Sequence, residues 1–380
     1  MLVHCNHRNI STKNFLEETE HNKLSIWKKL TKNKTALVGL FIIFFAIFVC
    51  LFGYIIAPDA SIDADLQTVE IQSKPLGYTQ QFLKIPINKN SNQPFLSALF
   101  FGKEITDKYL PIKNYSITGR DIVVSKYVDE DTAVLQTYNI NEITSGKAEK
   151  INEQIITKKY WLGTDAFGRD MLSRLIIGTR VSMMVGLIAV IISLSIGILL
   201  GAMAGYYKGK TDAAIMWLIN VTWSIPTLLL VFAITLALGK GFWQIFIAVG
   251  LTLWVSVARL VRGQVMAVKE LEYVQAARAL GYKDSRIIFR HILPNIIGPI
   301  LVVAAGNFAT AIIIEAGLSF LGIGVQPPQP SWGLMIKENY NLIITHNAAQ
   351  ALIPGFAIML LVLAFNLIGT ALRDAVDTKG

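Results

Sequence analysis

The sequence predicts an all-α polytopic membrane protein with six transmembrane helices and an extracytoplasmic insert between the first two. Three observations carry this reading. The chain is 53% hydrophobic and only 16% charged, whereas an average soluble domain carries about 25% charged residues. Its apolar residues gather in long uncharged runs. Its excess of basic residues is confined to segments that alternate with those runs.

The six runs are 36–57, 181–207, 213–239, 241–258, 295–314 and 351–372. A hydrocarbon core about 30 Å thick needs about 20 helical residues at 1.5 Å each. Every run meets that length, the fourth only just. The first run exceeds the apolar stretch of a secretory signal peptide, and Pro58 follows where small residues should guide cleavage. It reads as an uncleaved first span.

The formal net charge is +9. Residues 1–35 hold seven Lys/Arg against three acidic residues, and 259–290 hold seven against three. Lys208 and Lys210 face Asp212 alone in the loop between spans two and three, while 58–180 balance at 15 of each sign. The positive-inside rule puts the N-terminal tail 1–35, the 208–212 loop and the 259–294 loop in the cytoplasm. Six spans return the C-terminus to the same side. The charge serves topology and contact with anionic lipid, with Lys28, Lys29, Lys32 and Lys34 as an anchor, so nucleic acid need not be invoked. Cys5 and Cys50 lie in the tail and inside the first span, which offers no disulfide framework and no metal-ligand spacing.

Residues 58–160 form the insert, read as a small, partly β module from strand-like segments such as 121–128 and 132–140. From there 161–380 form a compact core. Residues 165–178 predict a short amphipathic helix along the outer surface. Asp165 is its expected cap, Met171, Leu172 and Leu175 face lipid, and Asp170 pairs with Arg174. Gly197, Gly201 and Gly205 recur every fourth residue and predict close packing on a neighbouring helix. Pro226 predicts a kink in span three. Glu315 is expected at the outer end of span five, in reach of water.

The most informative stretch is the loop between spans four and five, "EYVQAARALGYKDSRIIFRHILPN", residues 272–295. Tyr273, Ala276, Ala277 and Leu280 recur at helical spacing and predict one apolar face made largely of small residues. Gly281 is placed to end that helix in a left-handed turn. Asp284 or Ser285 is expected to cap a second helix with Ile287, Ile288 and Ile292 on its apolar side. Pro294 should close it before the next span. Connections between helices usually run 2–8 residues, so an ordered amphipathic loop of this length reads either as a docking element for a cytoplasmic partner or as a membrane-surface helix.

The stretch resembles the EAA signature of bacterial ABC importer permeases. It does so through Gln275, Ala276, Ala277, Gly281, Leu293 and Pro294, with Gln275 in place of the acidic residue and His291 in place of an apolar one. Glu272, one turn earlier, is positioned to take over an acidic contact. Residues 162–182, 315–333 and the closing "RDAVD" at 373–377 are similar to the dipeptide and oligopeptide branch. The likeness spans roughly 25–57 and 161–380 and leaves the insert outside, since typical members have a much shorter loop there.

The resemblance implies a type I importer fold in the bacterial inner membrane. It implies a permease that pairs with a related sister permease, with ABC ATPase subunits below and an extracytoplasmic substrate-binding protein above. Peptides would be the cargo, or alternatively another small solute such as nickel. The helix bearing Ala276, Ala277 and Gly281 would be the coupling helix. ATP and Mg would be bound by the ATPase subunits, leaving this chain without a cofactor and without enzymatic activity. "GYYKGKT" at 205–211 has three residues between its glycines where a P-loop needs four, and it ends a membrane helix. An ion-gradient transporter is the nearest rival. It would carry ionisable groups at mid-membrane depth, and the six runs contain none.

Overall fold

A computed structural model describes residues 30–87, 93–144, 148–239, 241–344 and 347–377. Cys5, Lys28 and Lys29 lie outside the described residues.

The first span is α1 (Lys34–Ile56), capped by Asn33, whose side chain accepts from the backbone of Thr35 and Ala36. A five-stranded antiparallel sheet follows, formed by β1 (Tyr78–Pro86), β2 (Asp107–Thr118), β3 (Asp121–Tyr127), β4 (Ala133–Asn139) and β5 (Ile155–Tyr160) in the order β4-β3-β2-β1-β5. A short helix, α2 (Phe95–Phe101), sits between β1 and β2. The two strand-like segments read from the sequence are β3 and β4. Alternation sorts the sheet's side chains. Leu83, Leu110, Ile112, Ile122 and Val124 pack in one cluster, and Phe82, Tyr127 and Tyr160 pack in another with Ile71. The all-α expectation therefore holds for the membrane part alone, since the insert is built around a sheet.

The core consists of α3 (Met171–Tyr207), α4 (Gly209–Ser224), α5 (Thr227–Leu238), α6 (Phe242–Lys269), α7 (Glu272–Ala279), a continuous helical span α8 (Asp284–Phe320), α9 (Trp332–Asn339) and α10 (Ala349–Asp377). Among the described residues, five helices are long and apolar enough to cross a membrane. The broken pair α4–α5 makes a sixth if it counts as one span.

Three sequence expectations about these helices are corrected. The 165–178 segment is not a separate surface helix, because its helical part is the start of the 37-residue α3. Met171 is fully buried instead of facing lipid, and Leu172 and Leu175 are half-buried. Pro226 does more than kink span three. The two halves meet at 95° across Ile225–Pro226, because proline disfavours helical geometry in its predecessor and Ile225 is extended (φ −94°, ψ 129°). Pro294 does not close a helix. A π turn at Ile288–Ile292 and a 3-10 turn at Leu293–Ile296 absorb its missing N–H, and the axis runs on into the span.

The glycine stripe of α3 lies against α6. A Cβ at Gly197 would sit 2.5 Å from Val257 Cβ, one at Gly201 2.5 Å from the Ala258 carbonyl oxygen, and one at Gly205 2.7 Å from that of Arg262. Those separations leave no room for a methyl group, so the α3–α6 crossing depends on bare backbone at all three positions.

Candidate coupling surface and the anchor above it

Beyond the ends of α3 and α6, the 272–295 loop folds back onto the bundle. Val274, Ala277, Ile287, Ile288 and Ile292 are buried in one cluster with Ala202, Tyr206, Val261 and Val265. Two of the expected face residues are placed differently. Helix α7 turns Val274 and Ala277 inward, while Ala276 is exposed and Leu280 is 73% exposed. The spacing of Tyr273, Ala276, Ala277 and Leu280 fits a helical face, but burial on the chain's own helices selects a neighbouring stripe. The surface left open is Gln275, Ala276, Arg278, Ala279 and Leu280.

Gly281 ends α7 at φ 76°. Its N–H donates to the Arg278 carbonyl at 3.0 Å, and that of Tyr282 donates to the Ala277 carbonyl at 3.3 Å. This is the Schellman pairing, which satisfies two of the helix's last carbonyls. Neither Asp284 nor Ser285 caps the second helix. Lys283 occupies the cap position without a side-chain bond, and the Asp284 carboxylate instead accepts from the Tyr206 hydroxyl at 2.6 Å. Lys269 Nζ donates to the Tyr206 carbonyl at 2.5 Å. Tyr206, at the foot of α3, thus ties the loop to α3 and α6 together. His291 stacks on Tyr282 at 5.9 Å between ring centroids, which accounts for an aromatic ring at a position where the motif has an apolar residue. Leu293 is half-buried beside this cluster. Gln275 Nε2 donates to the Glu270 carbonyl at 3.2 Å. A groove of about 570 Å³ runs alongside, lined by Lys208, Lys269, Glu270, Gln275 and Arg278 among others.

A buried ion network holds the opposite end of α3, and sequence reading missed it. Asp170, and not Asp165, caps α3, accepting from the Ser173 N–H at 2.9 Å. Asp165 accepts from the N–H groups of Phe167 and Arg169 and binds Arg169 Nε at 2.6 Å. Arg169 also reaches Asp65 at 3.1 Å and Glu338 at 2.6 Å. Arg174 turns away from Asp170 to Glu338 at 3.4 Å and Asp165 at 3.6 Å. Both arginines and Asp165 are at most 2% exposed. Burial pushes the Glu338 carboxyl up while Arg174 and Arg169 pull it down, and the net shift is upward. Burial likewise raises the Asp170 carboxyl. At Gly168 the backbone has φ 73°, and a Cβ there would collide with the Thr68 carbonyl oxygen. The strap 68–75 is thereby drawn down onto the loop before α3.

Glu315 is fully buried in α8 instead of reaching water. It accepts from Ser319 Oγ at 2.7 Å, and Ser319 Oγ in turn accepts from the Val325 N–H at 3.0 Å. A charge-free run thus abuts a carboxyl group that holds the turn after α8.

The family model of the binding-protein-dependent transport system inner membrane component matches residues 197–379. The N-terminal transmembrane domain of oligopeptide transport permease C matches 24–75. The glutathione transport system permease protein GsiD of Pectobacterium atrosepticum is 42% identical over 221 residues, which cover 58% of this chain and 73% of that protein. The chain belongs to the binding-protein-dependent transport permeases.

This permease is also 40% identical to the oligopeptide transport permease OppC of Bacillus subtilis over 59% of the chain and 73% of the relative. It is 43% identical to the dipeptide transport permease DppC of Alkalihalophilus pseudofirmus over 58% and 72%. Among solved structures, a chain of the inward-facing MetNI methionine ABC transporter is similar with a TM-score of 0.45 at 17% identity, over 54% of this chain and 97% of that one. By its family the permease is a multi-pass inner-membrane component of a binding-protein-dependent transport system, with a transport role and not an enzymatic one.

Proposed function

We propose that this permease forms, with a sister permease, the path by which dipeptides or oligopeptides enter the cell. The energy comes from ATP hydrolysed with Mg on separate ATPase subunits. The observation that carries the coupling half of this reading is the α7 tip, where Gln275, Ala276 and Leu280 are exposed beyond α3 and α6 on a turn held by Gly281. Ala276 and Ala279 keep part of this tip slim, and the protruding Leu280 offers an apolar side chain to a partner's cleft. Closure of that partner would push α7, and the buried cluster under it, with the Tyr206–Asp284 and Lys269–Tyr206 bonds, would carry the push into α3 and α6.

The cargo half rests on the relatives' named substrates and on the break in α4–α5. Neither half of that pair is long enough alone to cross about 30 Å. Non-helical backbone at membrane depth is tolerated where it is buried in protein or lines a cavity. A cavity of about 100 Å³ lies at this break, lined by Thr222, Thr227, Thr252 and Ser256 among others. Ser256 Oγ lies 3.2 Å from Asn307 Oδ1. The hydroxyl oxygens of Thr222, Thr252 and Ser256, whose protons bond to carbonyls of their own helices, are left to accept from the N–H groups of a passing peptide.

ATP-dependent uptake in proteoliposomes holding both permeases, the ATPases and the binding protein tests the cargo. Labelled di- to hexapeptides are expected to accumulate. Accumulation of nickel with no peptide uptake would overturn the assignment.

We further propose that both termini and the 259–294 loop face the cytoplasm and that the 58–160 insert lies outside, where it helps to dock the binding protein. The basic excess of 259–290 supports this sidedness. Ser116 and Ser285 are both exposed. In intact spheroplasts, an impermeant thiol reagent is expected to label Ser116→Cys and to miss Ser285→Cys. The reverse pattern would invert the topology.

A further inference from the structure

We propose that the inserted domain is seated on the lipid bilayer itself, with Leu96, Phe100 and Phe101 of α2 immersed at the membrane interface. These side chains are 66%, 47% and 69% exposed, and the helix FLSALFF contains no charge. Three large apolar residues open within six positions are an aggregation liability on a water-facing domain and a fit for lipid.

The position of α2 sets its depth. A Cβ at Gly102 would lie 2.8 Å from the Tyr54 ring, so α2 ends directly against α1. Tyr54 is two residues from the end of α1, at the level where amphipathic rings mark the boundary of the hydrocarbon. Arg180 on α3 donates to the Phe100 carbonyl at 2.8 Å, and its guanidinium carbon lies 5.0 Å from the Tyr54 ring centroid. The helix is therefore pinned to two spans at interfacial depth.

The span on which α2 ends is itself open to the apolar layer over the same last turns, where Phe48, Leu51, Phe52 and Ile55 are 40–58% exposed. An uncharged, open apolar helix pinned to that end of a span selects lipid as the occupant. Lys103 and Glu104 follow α2 and are exposed, as expected where the chain leaves the apolar layer. The seat lies in residues that neither family model matches. It gives the insert a second hold besides the ion network at Asp65, and fixes the tilt of the sheet over the membrane.

The test places nitroxide labels on the full chain, assembled with its partners in lipid nanodiscs, with Cys5→Ser and Cys50→Ala removing the native thiols. Labels go at Phe101→Cys, at Leu135→Cys on β4 (73% exposed) and at Phe48→Cys within α1. Accessibility to oxygen and to a water-soluble nickel chelate is read for each. The labels at 48 and 101 should favour oxygen severalfold over the chelate, and the label at 135 should show the opposite. Leu96→Cys provides an independent reading of α2 if the label at 101 prevents folding. With position 48 in lipid, a label on α2 that behaves like the one at 135 would overturn the proposal. So would one shielded from both reagents, which would mean that protein covers this face. Water access at 48 would instead refute the span assignment of α1.

Discussion

Replacing Gly281 with valine is expected to abolish uptake while the chain still inserts and folds. Gly281 has φ 76°, and a Cβ there would meet nothing within 4 Å. The penalty is therefore one of backbone conformation, with no collision to relieve. A left-handed conformation is a genuine outlier for a β-branched residue and costs about 1–3 kcal/mol, a factor of roughly 5 to 150 in the population of the native turn. A span bundle survives such a cost, but the turn that aims Ala276 and Leu280 does not. Because asparagine tolerates this region, uptake should fall in the order Gly281, Asn, Ala, Val.

Ala276→Arg should block uptake by another route, since Ala276 is exposed and a long cation there leaves the fold intact. Ala277→Arg cannot serve that purpose. Ala277 is 5% exposed within the permease's own cluster, so the substitution reports on folding. The measurements are uptake in vesicles and co-purification of the ATPase subunits. Normal uptake by both Gly281→Val and Ala276→Arg would remove α7 from the coupling path.

Much of this surface can be read from the sequence because its determinants are local. A glycine after a helical stripe specifies its own backbone, and four-residue glycine spacing on one helix specifies its own bare face. The rotation of α7 is not local. Tyr273–Ala276–Ala277–Leu280 and the stripe through Val274 and Ala277 satisfy nearly the same period, and the choice is made by Val261, Val265 and Ile287 from other helices. The 95° break is half legible, because proline announces a defect but its angle depends on what the two halves pack against. For α6, the uncharged run ends at Ala258 while the helix continues to Lys269. Loss of hydropathy there marks exit from the apolar layer and not the end of the helix. The ion network is the least legible of all. Arg169 and Glu338 are 169 residues apart, and no periodicity links them. A nearby acid one turn from Arg174 offered a simpler pairing, but Asp170 is needed as the cap of α3.

The largest expected loss of stability follows from that network. Arg169→Met should lower the unfolding free energy by about 3–5 kcal/mol, the usual cost of stripping one partner from a buried ion pair. The substitution preserves much of the side chain's bulk, so the effect is electrostatic. It leaves Asp165 without its 2.6 Å partner and Glu338 facing Arg174 alone at 3.4 Å. The defect should also depend on pH in a defined direction. The Glu338 carboxyl is already raised above its ordinary 4.5, and losing a cation raises it further. A raised folded-state pKa contributes stability that is present below the unfolded value and disappears as pH rises through the folded one. The gap between wild type and Arg169→Met should therefore be widest near neutrality and shrink as pH falls toward 4.5. Thermal unfolding of the detergent-solubilised chain across that range measures it. A gap that is constant with pH would mean that Arg169 contributes packing alone. Because Asp65 lies just before the 68–75 strap that leads to the sheet, protease cleavage of the insert should accelerate in the same variant, since Arg169 is the closest ionic tie between Asp65 and α9.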